Sequence, residues 1–302
     1  MCGEGAARVA AARSNVDNRQ PAPDDLAMPE IPELEAIRGF FTGHLAGKRI
    51  ETAEVRIPVV FRVPANEVRE TLPGDTFGEV RRYGKFLLFA LASGRVLAIN
   101  PMLTGRFQYV APGLKLRAKT CFVLGMEGGR DLRYSDERVM GKIYLVPSGQ
   151  LNAIPNWAAN GPDLLAPELT EDSWLAGLQK YRGQIKSILT NAEFVQGIGN
   201  AYSDEILWEA RINPYIPKTK LSEEELRRLF HAARVVMAWA TPLVGASMVK
   251  DGALDYEERR DFMRVHRLGG RPCPRCGATI SEITANQRIT SFCRACQPEM
   301  PA

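Results

Sequence analysis

Two pairs of closely spaced cysteines near the C-terminus constrain this chain more than any other feature. Cys273-Pro-Arg-Cys276 and Cys293-Arg-Ala-Cys296 are separated by sixteen residues. Two such knuckles place four thiolates tetrahedrally around one Zn²⁺ ion. The segment between them has few large apolar residues. It cannot bury enough surface to fold alone, so metal binding must supply much of its stability. Four protein thiolates leave no open position for water. One structural zinc is therefore expected on Cys273, Cys276, Cys293 and Cys296. The leftover Cys2 and Cys121 fit a reducing cytoplasm better than a disulfide framework.

The rest of the chain divides by pattern. Residues 1–27 show no lasting apolar period and read as a disordered extension or a wrongly assigned start. From Glu33 to Leu45 the apolar residues Leu34, Ile37, Phe40, Phe41 and Leu45 fall at helical spacing. From Ile50 to about Val146, short β-branched runs alternate with Gly- and Pro-containing turns. Val55–Phe61, Phe86–Leu91, Val96–Ile99 and Cys121–Met126 are examples, and they predict an antiparallel sandwich or barrel. Residues 147–167 are rich in Pro, Asn and Gly and read as a linker. Helical stretches are predicted at Glu171–Leu178, Ile185–Leu189, Asn200–Glu209 and Ser222–Trp239, the last opened by a Ser222/Glu225 capping box.

The net charge of +4 decides nothing about partners. Its distribution says more. Between residues 264 and 296 lie Arg264, Arg267, Arg271, Arg275, Arg288 and Arg294 against a single acid, Glu282. Such a patch suits phosphates or, equally, a solvated surface. No apolar run reaches the roughly 20 residues of a membrane span, so no membrane partner is expected.

Four motifs, in order, resemble the formamidopyrimidine-DNA glycosylase and endonuclease VIII family. They are Met28-Pro-Glu-Ile-Pro-Glu-Leu-Glu35, Arg82-Tyr-Gly-Lys-Phe-Leu-Leu88, Glu193 through Glu205 with Gly197-Ile-Gly-Asn200, and Pro272 through Gln297. The resemblance implies an α+β multidomain chain. A catalytic antiparallel β-sandwich flanked by helices would span 28–157, a helix–two-turn–helix domain 158–258, and a four-cysteine zinc finger 259–298. It also implies a monomeric, cytoplasmic base-excision repair enzyme that flips damaged bases out of double-stranded DNA. Such an enzyme would act as both glycosylase and abasic-site lyase, on oxidised purines or, alternatively, oxidised pyrimidines.

The site residues follow from the same resemblance. Pro29 would be the nucleophile, Glu30 the proton donor or acceptor, and Glu33 a structural neighbour. Lys85, on a strand, with Asn200 and Arg288 would grip the backbone beside the lesion, the two glycines letting backbone N–H groups approach phosphate. Leu103, next to Met102, would wedge into the stack, with Arg138 facing the orphaned base and Met140 replacing an aromatic wedge. Taken locally, Pro29 is equally a helix-start proline, Asn200 an N-cap, and Leu103, Arg138 and Met140 core or turn residues. Position 29 needs a free amine, since an amide nitrogen has no nucleophilic lone pair. Translation is therefore expected to begin at Met28, whose removal exposes Pro29. A chain keeping residues 1–28 would be a silent binder of damaged DNA. His44, His231 and His266 suggest no ligand set or triad, and a zinc ribbon unrelated to repair leaves the Pro29 and Gly197–Asn200 motifs unexplained.

Overall fold

The computed structural model describes residues 28–256, 260–286 and 288–299. The expectations for residues 1–27 lie outside them. The first helix, α1 (Ile31–Leu45), forms where the apolar spacing predicts it, with Pro32 in its first turn. Glu33 accepts the Glu30 backbone N–H at 3.0 Å, closing the entry turn. Ile31 packs in the helical core, whereas Leu34, Ile37, Phe41 and Leu45 pack in the sandwich core. The helix thus begins at the seam between two domains.

Eight strands then follow, interrupted by the short α2 (Ala65–Thr71). They are β1 (Ile50–Val55), β2 (Phe77–Tyr83), β3 (Phe86–Leu91), β4 (Arg95–Asn100), β5 (Gly105–Val110), β6 (Thr120–Met126), β7 (Arg130–Asp136) and β8 (Lys142–Pro147). A four-stranded sheet β2-β3-β4-β8 faces a larger sheet that runs β1-β6-β7-β5. Phe89, Leu97, Phe107, Phe122, Tyr134 and Ile143 from both sheets fill the space between them. The strand expected at 55–61 does not form: β1 ends at Val55, where that run begins. Pro58 opens a single 3-10 turn over 58–60, and the N–H groups of Arg56 and Ile57 both go to the Cys121 carbonyl.

The helical domain comprises α3 (Glu171–Leu178), α4 (Ile185–Leu189), α5 (Asn200–Ala210) and α6 (Glu223–Met248) around Trp174, Tyr202, Ile206, Leu229 and Phe230. The Ser222/Glu225 capping box is present. The sequence reading ends this last helix at Trp239, whereas the helix runs on through Pro242 to Met248. The helix continues because its end buries Val244 and Met248 in the sandwich core. At 26 residues it is long and apolar enough to cross a membrane, contrary to the expectation that no segment would be. Its first turn, however, carries Glu223, Glu224 and Glu225, and its apolar face packs on α1, α3 and α5. After it, β9 (Val249–Lys250) and β10 (Ala253–Asp255) extend the larger sheet, with Leu254 opposite Tyr109. Residues 249–255 therefore pair with the sandwich, inside the range given to the helical domain from sequence. A hairpin, β11 (Ser281–Ala285) and β12 (Arg288–Phe292), completes the cysteine-bearing tail.

A buried ion cluster clamps sandwich to helical domain. Arg82 donates from Nε to Glu35 at 2.6 Å and grips Asp163 with both Nη groups, with the Arg82 side chain only 3% exposed. Asp163 also accepts the Gly84 N–H at 2.7 Å. Removing one partner of a buried pair strands the other charge. Asp163→Ala is therefore expected to lower unfolding free energy by about 3–5 kcal/mol in urea titration, whereas Glu79→Ala, in a solvent-exposed pair with Arg81, should change it by less than about 1 kcal/mol.

Candidate active site and nucleic-acid interface

The site lies where the start of α1 meets the start of α5. Glu30 is 2% exposed, and its carboxylate accepts the backbone N–H groups of Gly199, Ala201 and Tyr202. Those donors are the unsatisfied first N–H groups of α5. The sequence expectation assigns them to a phosphate; an intramolecular carboxylate occupies them instead. The two glycines permit this approach. A Cβ on Gly199 would collide with the Glu30 carboxyl carbon, and Gly197 sits at φ +97°, where its flank meets Ile31. Burial pushes the Glu30 carboxyl above its ordinary range, opposed chiefly by the charges of Arg260 and Lys85 and by the Ala201 N–H.

Glu33 is structural, as its sequence context suggests. It accepts the Tyr202 hydroxyl at 3.0 Å and Arg260 Nε at 3.3 Å. Arg260 also donates from Nη2 to the Met28 carbonyl at 3.1 Å and lies over the Tyr202 ring. No motif flags Arg260; it stands in a stretch of mixed charge without period.

Lys85 lies in the turn between β2 and β3 rather than on a strand. The Asp163 clamp on Arg82 and Gly84 fixes that turn. Burial depresses the Lys85 ammonium, the nearby Glu30 charge opposes this, and Arg288 and Arg260 add to it. Pro29, Glu30, Lys85, Arg260 and Arg288 thus converge from four parts of the chain. Asn200 is the first residue of α5, with Gly199 as the cap, so it is not an N-cap. Its Nδ2 donates to the Ile289 carbonyl at 2.9 Å and ties α5 to the hairpin that bears Arg288. Arg288 itself is exposed at the start of β12.

Leu103, Arg138 and Met140 sit on two adjacent turns, after β4 and after β7. The Thr104 hydroxyl bonds to Asp136 and accepts the Arg138 N–H at 2.9 Å, and Asp136 accepts the Gly141 N–H at 2.6 Å. Leu103 is half-buried, Arg138 exposed, and Met140 39% exposed, so none is core. Met102 and Val139, beside them, hold φ of +52° and +54°. A β-branched residue such as Val139 is strained in that region.

The four expected cysteine sulfurs lie within 4.8 Å of one another. Tetrahedral zinc at about 2.3 Å per thiolate sets its sulfurs about 3.8 Å apart. Cys273 and Cys296 are 3.9 Å apart, and Cys276 and Cys293 3.5 Å, so the residues fit zinc. Two acids of α5 dock this finger. Glu205 accepts the N–H groups of Arg264, Val265 and His266. Asp204 meets Lys186, His266 and the Ser291 N–H. His266 is thus a structural partner, not a ligand. Sequence reasoning misses both acids, although each follows the Gly-Asn turn closely.

Comparison with known proteins matches this geometry throughout. The family model of the formamidopyrimidine-DNA glycosylase N-terminal domain matches residues 28–143. The model of that enzyme's H2TH domain matches 160–251, and a zinc finger found in FPG and IleRS matches 270–298. The formamidopyrimidine-DNA glycosylase of Pelotomaculum thermopropionicum is 33% identical over 273 residues, which is 89% of this chain and 99% of that protein. The chain belongs to the formamidopyrimidine-DNA glycosylase family. The protein of that name from Chloroflexus aurantiacus is 32% identical over 90% of this chain and 99% of its own. Lactococcus lactis Fpg in complex with DNA containing an abasic site superposes with a TM-score of 0.81 at 26% identity, over 89% of this chain and 100% of that one. This family member is accordingly a DNA-binding glycosylase and abasic-site lyase with one structural zinc. Removing the metal with a chelator is expected to unfold the hairpin, displace Arg288 and weaken duplex binding at least about tenfold in gel shift; the sandwich's near-ultraviolet signal should persist.

Proposed function

We propose that this protein excises oxidised purines, 8-oxoguanine and formamidopyrimidines among them, from duplex DNA in base excision repair. The relatives' shared name and a Lactococcus lactis Fpg bound to Fapy-dG DNA support the substrate class. The buried Glu30 carboxyl, next in sequence to Pro29 at the domain seam, supports the chemistry most directly.

The active form begins at Pro29, which the match of the N-terminal domain from residue 28 favours. A free secondary amine has an ordinary pKa near ~8, so part of it is neutral at pH 7. Its lone pair forms a bond to the sugar C1′ as the glycosidic bond breaks with its electrons on the leaving base, and the proton released from the nitrogen passes through solvent to neutralise the departing base. The sugar ring opens as Glu30 gives a proton to O4′, which its raised affinity for protons suits. The resulting iminium acidifies C2′. Loss of that proton expels the 3′ phosphate, and a second elimination releases the 5′ phosphate. Lys85, Asn200 and Arg288 grip the flanking phosphates. Leu103, Arg138 and Met140 fill the space of the extruded nucleotide. The enzyme works as a cytoplasmic monomer.

Borohydride trapping on a panel of lesion duplexes tests the reading. Protein starting at Pro29 should form a reducible adduct with 8-oxoguanine and formamidopyrimidine duplexes, and Glu30→Gln should slow excision by about a hundredfold or more. Preference for thymine glycol would assign an oxidised-pyrimidine enzyme instead. Trapping by protein shown by intact mass to retain residues 1–28 would eliminate the proline mechanism.

A further inference from the structure

The site contains a cation that the mechanism above does not use. Arg260 enters from the segment after β10, and its contacts surround position 29. Nη2 donates to the Met28 carbonyl at 3.1 Å, Nε to Glu33 at 3.3 Å, and Nη1 lies 3.8 Å from Glu30. The Met28 carbonyl carbon is bonded to the Pro29 nitrogen. Once Met28 is removed, the guanidinium therefore faces that nitrogen directly.

The charges around the amine are mixed. Glu30 follows position 29 directly and faces Arg260 and Lys85, the latter in the β2–β3 turn; Glu33, on α1, accepts the Tyr202 hydroxyl of α5 and Arg260 Nε; and Arg288 of β12 stands near Lys85. Two carboxylates next to an amine favour its protonated form, which cannot attack. Lys85 is itself pushed toward neutrality by burial, and Arg288 stands at the exposed start of its hairpin. Arg260 carries the fixed charge beside both carboxylates. Its side chain is 12% exposed, so solvent screens it weakly.

We propose that Arg260 is a positioning residue that keeps the Pro29 amine unprotonated at neutral pH. Its charge offsets Glu30 and Glu33, and its N–H groups are complementary to a nitrogen lone pair but clash with an ammonium. The inference rests on Pro29 being the nucleophile.

Single-turnover excision on an 8-oxoguanine duplex, with borohydride trapping across pH about 5–10, tests it on protein starting at Pro29. Excision needs the neutral amine, so the rate falls as pH drops below the amine's pKa. Removing the cation raises that pKa. Arg260→Gln should move the acid limb up by about one pH unit, a roughly tenfold loss on that limb that vanishes at high pH. Arg260→Lys should hold the limb in place, and affinity for a duplex bearing a tetrahydrofuran abasic analogue should be unchanged. A ¹⁵N titration of Pro29 in the unmodified protein, which needs no variant, should give a pKa below the free-amine range. An unshifted acid limb with adducts still trapped, or equal loss at every pH, would overturn the role of Arg260 and leave the Pro29 reading standing. Absence of any adduct from the unmodified protein would remove both.

Discussion

One buried carboxylate at the start of a helix organises this molecule. Glu30 ends the extended segment before α1 and takes the N–H groups of Gly199, Ala201 and Tyr202 at the start of α5. That contact satisfies donors that burial would otherwise strand, and it favours a negative charge at the positive end of a helix. It also fixes Pro29 at the junction of two separately packed cores. A loosely held seam would let the nucleophile drift by ångströms, and proximity effects in catalysis decay over that distance.

The remaining cross-domain contacts repeat the principle. Asp163 of the helical domain grips Arg82 and the Lys85 turn of the sandwich. Asn200, Asp204 and Glu205 grip the finger. Each joins a polar side chain to backbone groups or a cation in a dry setting, where geometry is exacting. Zinc then stabilises a segment too small for its own core. The parts expected to touch DNA are treated differently. Leu103, Arg138, Met140 and Arg288 stand exposed or half-exposed on turns and at a hairpin tip, with their backbones fixed and their side chains available.

The sequence made much of this legible, for identifiable reasons. Helical spacing located α1, and the boundaries of α3, α4 and β3 coincide with their patterns. The cysteine spacing named the metal ligands, since thiolate geometry is set by short loops. What it hid depends on tertiary placement. The run 55–61, which β propensity favoured, leaves the sheet after Val55 for a 3-10 turn at Pro58, and the helix read to end at Trp239 runs on to Met248 because its last turns are buried. Gly197 and Gly199 signalled close approach correctly, but not that Glu30 would be the approaching anion. Arg260, Asp163 and Glu205 carry no local signature, because the partners that define them lie between 59 and 232 residues away in sequence.

The docking of Glu30 on α5 is open to direct observation by NMR. Side-chain carboxyl ¹³C and backbone amide shifts would be followed together through a pH titration of the zinc-loaded protein. The account requires Glu30 to titrate above the ordinary glutamate range, with the amides of Gly199 and Ala201 moving at the same midpoint. A Glu30 that titrates like a solvent-exposed carboxylate, with those amides unresponsive, would contradict it.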